Sequence, residues 1–239
     1  MPSSLVSNRF RTVQSRTLAA LFDPLTIRDC VMWFDASDAA SVRIETGVSV
    51  WSSAIAANAV SATQITANNQ PAYQLNQQAG RNAIYFDGTN DVMTLGNRSA
   101  LFTSAASVVA AYRPEDDGEY QLIQTHTGGT SYWVYPTNRT YIQTFKGARL
   151  NNIATTIPTT GNTVITVTSD SSAYRVYNRT TLAHDVAADF SAGTTHGFGP
   201  SDGGNTFKGW LYEVLYFSRA LTAAEVTGLN SYLSWKWRI

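Results

Sequence analysis

Most apolar residues of this 239-residue chain fall into short runs with the two-residue period of β-strands. In "CVMWFDASD", Val31, Trp33 and Asp35 alternate with Met32 and Phe34, and both sets are largely apolar, which is typical of a buried strand. Further runs separated by turn sequences occur at 47–51, 106–112, 120–126, 131–135, 140–145, 163–169, 173–178 and 207–217. Because no long helical pattern alternates with them, the spacing predicts an antiparallel β-sandwich.

A hairpin is predicted around residues 82–95. The β-rich runs Ala83–Phe86 and Val92–Leu95 flank "DGTND", in which glycine supplies a positive φ and Asx side chains bond the backbone.

The run "FKGWLYEVLYF" at 207–217 predicts a central strand. Strict alternation places Trp210, Tyr212, Val214 and Tyr216 on one face, and Leu211, Glu213, Leu215 and Phe217 on the other. A buried charge must be paired or hydrogen-bonded, so we expect Glu213 to have arginine or backbone N–H partners and a structural role.

A helix over 222–237 is predicted at the end of the chain. Thr222 and Glu225 have the spacing of a capping box. An apolar stripe recurs every three or four residues at Val226, Leu229, Tyr232, Leu233 and Trp237. We therefore expect this helix to dock on the sandwich as a structural lid.

The composition excludes several classes of function. Lys+Arg and Asp+Glu both number 17, so the chain lacks the basic surface of a nucleic-acid-binding protein. Its single cysteine, Cys30, forms no intrachain disulfide. We see no apolar run of signal-peptide or membrane-span length, and expect a chain made in the cytoplasm that binds neither membrane nor nucleic acid.

Residues 1–22 differ from the remainder, 23–239, which we expect to form the sandwich domain. Arg9, Arg11 and Arg16 precede the first acid, Asp23, and Phe10 is one of several apolar residues without a clear period. One interpretation is a frayed terminus. The other is an N-terminal arm that binds a partner chain through Arg9, Phe10, Arg11 and Arg16.

Four segments in order resemble laminin-G-like, concanavalin-A-like domains of phage and bacterial surface proteins. They are "MWFDASDAASV", "VSVWSS", "PAYQLNQQAGRNAIYFDGTNDVMTL" and "GWLYEVLYFSRALTAAEVTGLNSYLSWKW". The resemblance covers residues ~25–239. It implies an all-β, two-sheet antiparallel jelly-roll sandwich with one C-terminal helix and, outside the matched region, an N-terminal arm. Because this fold serves enzymes, lectins and virion parts, it leaves the function open.

The sequence contains candidate residues for catalytic, metal-binding and carbohydrate-binding sites. Glycosidases of this fold resemble one another in an E-x-D-x-x-E strand, which is missing, and the acids Glu115, Asp116, Asp117 and Glu119 lie in a turn. His126, His184 and His196 lack metal-ligand spacing, so we predict no catalytic residue and no cofactor.

Asp87, Asn90 and Asp91 have the chemistry of calcium ligands, although turn formation explains them equally well. The stretch 131–145 offers Tyr132, Trp133, Tyr135 and Tyr141 to a carbohydrate, with ordinary core packing as the other interpretation.

These observations lead to three hypotheses. The main one is a non-enzymatic virion protein, a capsid decoration or cement protein of a tailed phage on the outer capsid surface. Its partners would be the major capsid protein or another virion protein and copies of itself as a trimer. The second is a carbohydrate- or receptor-binding module of a phage tail or bacterial surface protein. The third is a glycosidase.

Overall fold

The structure is a computed structural model that describes residues 22–102, 104–115, 122–126, 132–137, 141–146, 148–154, 161–170, 172–187, 195–199 and 207–239. Between 124 and 154 the description is limited to the backbone. The described residues form β1 (Cys30–Asp35), β2 (Val42–Ile44), β3 (Val48–Ser52), β4 (Ser61–Thr63), β5 (Ala72–Gln78), β6 (Arg81–Asp87), β7 (Met93–Gly96), β8 (Ala106–Pro114), β9 (Ile123–His126), β10 (Tyr132–Thr137), β11 (Tyr141–Lys146), β12 (Ala148–Ala154), β13 (Thr163–Ser169), β14 (Tyr174–Asn178), β15 (Thr181–Val186), β16 (Thr195–Phe198), β17 (Lys208–Phe217) and the helix α1 (Ala223–Trp237). Short 3-10 helices lie at Pro24–Thr26, Ala39–Ser41, Ala56–Asn58, Ala67–Asn69 and Ser99–Leu101.

The strands form two antiparallel sheets. The first runs β15-β14-β13-β8-β17-β6-β5, and the second runs β12-β11-β10-β9-β16-β7-β4-β3-β2. In the first sheet, β6 pairs with the first half of β17 and β1 pairs with its second half. The predicted all-β sandwich with a C-terminal helix is confirmed, and β17 is a central strand as expected.

Two apolar layers hold the fold together. The layer between the sheets includes the rings of Phe34, Trp51 and Phe198, whose centroids lie 5.3–5.4 Å apart. The other layer lies between the outer face of the first sheet and α1. In the part of the chain that is described, no helix combines the length and apolar character needed to span a membrane.

The predicted hairpin around residues 82–95 is wrong, although its turn forms. Gly88 has φ 79°, and Asp87 Oδ1 accepts the backbone N–H of Thr89. However, β6 pairs with β5 and β17 in the first sheet, whereas β7 pairs with β4 and β16 in the second. The turn therefore carries the chain from one sheet to the other. Turn chemistry reverses the chain but does not decide whether the flanking strands pair.

The strict alternation predicted for β17 is wrong in its second half because of a β-bulge. Leu211 pairs with Tyr112 and Glu213 with Ala111, so Tyr212 is an extra residue on this strand. One extra residue reverses the face of every residue that follows. As a result, Val214 and Tyr216 join the core between the sheets. Glu213, Leu215 and Phe217 instead lie on the helix side with Tyr212, and partly buried Trp210 packs against the same layer.

The helix α1 docks on the first sheet as predicted. Thr222 and Glu225 form the capping box, and Val226, Leu229, Leu233 and Trp237 are buried. Phe22, which we placed in the arm, packs against Tyr232 with ring centroids 5.9 Å apart. The rest of the predicted arm lies outside the described residues.

Candidate functional site

A row of three side chains lies across the outer face of the first sheet, next to the area that the helix covers. Trp210 on β17 is directly opposite Tyr85 on β6 and Arg113 on β8. Residues directly opposite on neighbouring strands share a face, and the next residues along, Phe86 and Leu211, are buried in the core. The row therefore faces away from the core. Tyr85 and Trp210 are half-buried, and Arg113 is exposed.

These side chains touch one another. The ring centroids of Tyr85 and Trp210 lie 5.0 Å apart with an interplanar angle of 48°. The guanidinium carbon of Arg113 lies 4.8 Å from the Trp210 ring centroid, which is a cation–π contact. The three form a continuous stack in which each neighbour restricts the rotamers of the next.

Two polar neighbours fix the edges of the rings. Trp210 Nε1 donates to Gln74 Oε1 at 2.7 Å, and the Tyr85 hydroxyl donates to Glu115 Oε2 at 2.8 Å. Partial burial and the Glu115 carboxylate raise the pKa of Tyr85 to about 12, so its hydroxyl stays protonated at neutral pH. We call Tyr85, Trp210, Arg113, Gln74 and Glu115 the outer-face platform.

The helix ends beside the outer-face platform. The Trp237 ring stacks on Tyr212 at 5.0 Å and 18°, and Gln78 Nε2 donates to the Trp237 carbonyl at 2.7 Å. Tyr212 follows Trp210 by two residues on the same face, so the helix covers the sheet up to this point and leaves the platform uncovered by α1.

A buried ionic cluster attaches the last turn of the helix to the sheet. Lys236 Nζ lies 2.6 Å from both Asp35 Oδ2 and Glu213 Oε2, and Glu213 also accepts from the indole N–H groups of Trp33 and Trp237 at 2.7 and 2.8 Å. Glu213 is fully buried. Burial, together with the charge of Asp35, raises the pKa of Glu213 to about 7. Burial alone would lower the pKa of Lys236, but the two carboxylates outweigh it and raise the pKa.

This cluster corrects one expectation. Glu213 is paired, but with a lysine and two tryptophans rather than with an arginine or backbone N–H groups. Lys236 was not singled out from the sequence, because a lysine on a helix is ordinarily solvated. Its burial follows only from where the helix ends on the sheet.

The aromatic residues predicted to bind carbohydrate lie at one end of the second sheet. Tyr132, Trp133 and Tyr135 are on β10, and Tyr141 begins β11. The two strands pair antiparallel, with Thr137 opposite Tyr141. The structure brings these segments together, but their side chains lie outside its description, so sugar binding at this hairpin stays a prediction.

The calcium candidates take part in the hydrogen bonds of their turn. Asp91 Oδ2 accepts the Asp87 backbone N–H at 2.8 Å, and Asn90 Nδ2 donates to Asn69 Oδ1 at 3.1 Å. Asp91 is buried, which raises its pKa to about 6. Across the described residues, no three His, Cys, Asp or Glu side chains form a metal-binding group. Calcium binding by Asp87, Asn90 and Asp91 stays a prediction.

The other candidates are divided between described and undescribed parts of the chain. Arg9, Phe10, Arg11 and Arg16 lie outside the described residues, as do Asp116, Asp117 and Glu119. Glu115 is described, and its carboxylate accepts a hydrogen bond from the Tyr85 hydroxyl. His196 is buried in the core, where its Nδ1 accepts the Arg98 backbone N–H at 3.2 Å. His126 and His184 lie on β9 and β15.

Comparison with known proteins shows a likeness in structure alone. No protein-family model matches the chain, and no curated protein matches it. A mutant of Trypanosoma rangeli sialidase displaying trans-sialidase activity superposes with a TM-score of 0.65 at 14% identity, over 98% of this chain and 39% of that one. This chain therefore spans much less than the whole sialidase. The likeness is one of fold.

Two further structures resemble most of the chain. Domain 4 of AbnA, a GH43 extracellular arabinanase from Geobacillus stearothermophilus in complex with arabinotriose, has a TM-score of 0.63 at 16% identity, over 84% of this chain and 98% of that domain. The binding domain of Paraclostridial Mosquitocidal Protein 1 has a TM-score of 0.58 at 12% identity, over 84% of this chain and 52% of that one. The β-sandwich recurs in these proteins, and none of the three is a virion protein.

The outer-face platform was not predicted from the sequence. A signal was present, since Trp210 and Tyr85 both lie in strand-like runs. What joins them is the pairing of β6 and β8 with β17, which begins more than 90 residues after β8 ends. Long-range pairing of this kind is not visible in local patterns.

Proposed function

We propose that this chain is a non-catalytic carbohydrate-binding module. The observation that carries the proposal is the shared fold with domain 4 of AbnA, which the chain matches over 98% of that domain's length and which is described in complex with arabinotriose. The same match covers 84% of this chain.

The chemistry of the outer-face platform supports the same function. Sugar rings present faces of C–H groups that pack on aromatic rings, and their hydroxyls bond to amides, carboxylates and guanidinium groups. Tyr85 and Trp210 supply the rings, while Gln74, Arg113 and Glu115 supply the polar groups beside them.

The carboxylates of the buried cluster support a binding role without catalysis. Most glycosidases use two carboxyl groups, one on either side of the scissile bond. Asp35 and Glu213 converge on Lys236, and Glu213 is fully buried beneath the helix, so it cannot reach a substrate.

The test is binding of the full chain to an array of oligosaccharides, followed by calorimetric titration of each hit. We expect a dissociation constant in the micromolar range or weaker, and no release of reducing sugar during prolonged incubation. Absence of binding to every glycan would overturn the proposal. Turnover that persists after repurification would overturn its non-catalytic part.

The decoration-protein hypothesis remains a separate prediction. It depends on residues 1–22, of which only Phe22 is described, and Phe22 packs against the protein's own helix. The discriminating observation is the burial of Arg9, Phe10, Arg11 and Arg16 against a shell protein in an intact particle.

A further inference from the structure

We propose that the outer-face platform is the binding surface for a neutral oligosaccharide; this inference rests on the proposed function and assigns it a site. The platform lies on the opposite sheet from the aromatic hairpin of β10 and β11, so the two locations can be tested separately.

The side chains of the outer-face platform are preorganised. The polar edges of both rings are already hydrogen-bonded, Trp210 to Gln74 and Tyr85 to Glu115, at 2.7 and 2.8 Å. Arg113 is held against the Trp210 ring. A ligand that meets side chains in a fixed arrangement loses less binding free energy to ordering them. These rings stand on paired strands, which hold a site more rigidly than a loop does.

The outer-face platform extends to the edge of the first sheet. The row of side chains continues onto β5, where exposed Ala72 is directly opposite Tyr85. An alanine beside an aromatic ring leaves space above the sheet on that side of the ring. A sugar ring stacked on this side of Tyr85 would lie near Gln74, which is two residues from Ala72 on the same face of β5.

Charge balance indicates the class of ligand. Lys208 precedes Trp210 by two residues and lies on the same face of β17. It is directly opposite Asp87 on β6. Among the described residues beside the row, Arg113 and Lys208 are cations and Glu115 and Asp87 are anions. Opposite charges at this spacing largely cancel at long range. The mixed set suits hydroxyl groups, which both donate and accept, rather than a polyanion.

The experiment measures binding to labelled neutral oligosaccharides of arabinose, xylose, glucose and galactose, and to acidic ones that carry sialic or uronic acids. The test variants are Tyr85→Ala and Arg113→Ala. One control is Trp235→Ala, which removes an exposed tryptophan (41% exposed) from the helix, outside the platform. The other is Trp133→Ala, which tests the hairpin. Unfolding midpoints of all variants verify that each is folded.

We expect wild type to bind a neutral glycan with little dependence on salt. Each platform variant should weaken binding by about tenfold or more, and Trp235→Ala by less than about twofold. If Tyr85→Ala loses stability, Arg113→Ala keeps the test decisive, because Arg113 is exposed and its removal takes away no core contact.

The outcomes separate this inference from the proposed function. If wild type binds glycans and both platform variants bind equally well, the platform is not the site while the proposed function stands; loss on Trp133→Ala would then locate binding at the hairpin. Preference for acidic glycans that Arg113→Ala abolishes would overturn the assignment to neutral sugars. If wild type binds no glycan, both proposals fail.

Discussion

Replacing Lys236 with methionine tests whether the buried ionic cluster fastens the helix to the sheet. Methionine keeps most of the aliphatic stem and removes the ammonium group that bonds Asp35 and Glu213 at 2.6 Å each. Glu213 would retain only the indole N–H groups of Trp33 and Trp237, in a site with no solvent exposure.

The expected cost at pH 7.5 follows from the burial of the carboxylate left behind. A buried ion pair that loses one partner costs about 3–5 kcal/mol when the remaining group stays charged. Without Lys236 the pKa of Glu213 rises above its value of about 7, so much of the carboxyl takes up a proton at pH 7.5 and the cost should be about 2–3 kcal/mol. Asp35 adds little, since its side chain is 17% exposed and also accepts from Ser37. At pH 5 Glu213 takes up a proton, since its pKa is about 7 even with Lys236 present. The cost should then fall to about 1–2 kcal/mol, as expected for lost hydrogen bonds between largely neutral groups.

Urea unfolding followed by far-ultraviolet circular dichroism measures both values. The control is Arg43→Met, which breaks the exposed Arg43–Glu45 pair and should cost less than about 0.5 kcal/mol. Adding Glu213→Gln to Lys236→Met should restore about 1–2 kcal/mol by removing the unpaired charge. A Lys236→Met cost below about 1 kcal/mol at pH 7.5, or one that does not change with pH, would refute this reasoning.

Three further predictions concern stability. Because the pKa of Glu213 is raised from 4.5 to about 7, the folded chain binds more protons than the unfolded chain between these pH values. The contribution of Glu213 to stability therefore falls as pH rises through this window. Glu213→Gln should make the free energy of unfolding, measured by urea titration, depend less on pH. Gly209→Ala should destabilise by about 3 kcal/mol, since Gly209 has φ 142° and a Cβ there would lie 2.1 Å from the Arg113 carbonyl oxygen; an unchanged melting temperature would contradict this. Glu225→Ala removes the capping box and the bond to Arg219, and should cost about 1 kcal/mol in thermal unfolding at pH 7. Because these partners lower the pKa of Glu225 to about 2, that cost should shrink as pH falls below about 4.5, whereas a cost independent of pH would refute the electrostatic part.

The sequence by itself determined the class of fold and the last element. Apolar runs with a two-residue period predicted strands that the structure contains, including β8, β13 and β17. The N-cap of the helix, Thr222, was predicted because the capping box that it forms with Glu225 is a local signal. Such features depend on residues a few positions apart, so they can be recognised in a single sequence.

Tertiary structure decided how these elements pair. The turn at Asp87–Asp91 was recognisable, yet β6 and β7 belong to different sheets, because the pairing of a strand depends on partners elsewhere in the chain. The bulge at Tyr212 likewise depends on the register against β8, and it moves Glu213 onto the helix side.

The buried ionic cluster and the outer-face platform could therefore not be predicted from local sequence patterns. Lys236 meets Asp35 across a separation of 201 residues, and Trp210 meets Gln74 across 136. The sequence contains every one of these side chains, but only the paired sheet brings a buried lysine to two carboxylates and an exposed arginine to an aromatic stack. Contacts between distant segments are set by the packing of the whole sheet, and that packing is what local periodicity leaves undetermined.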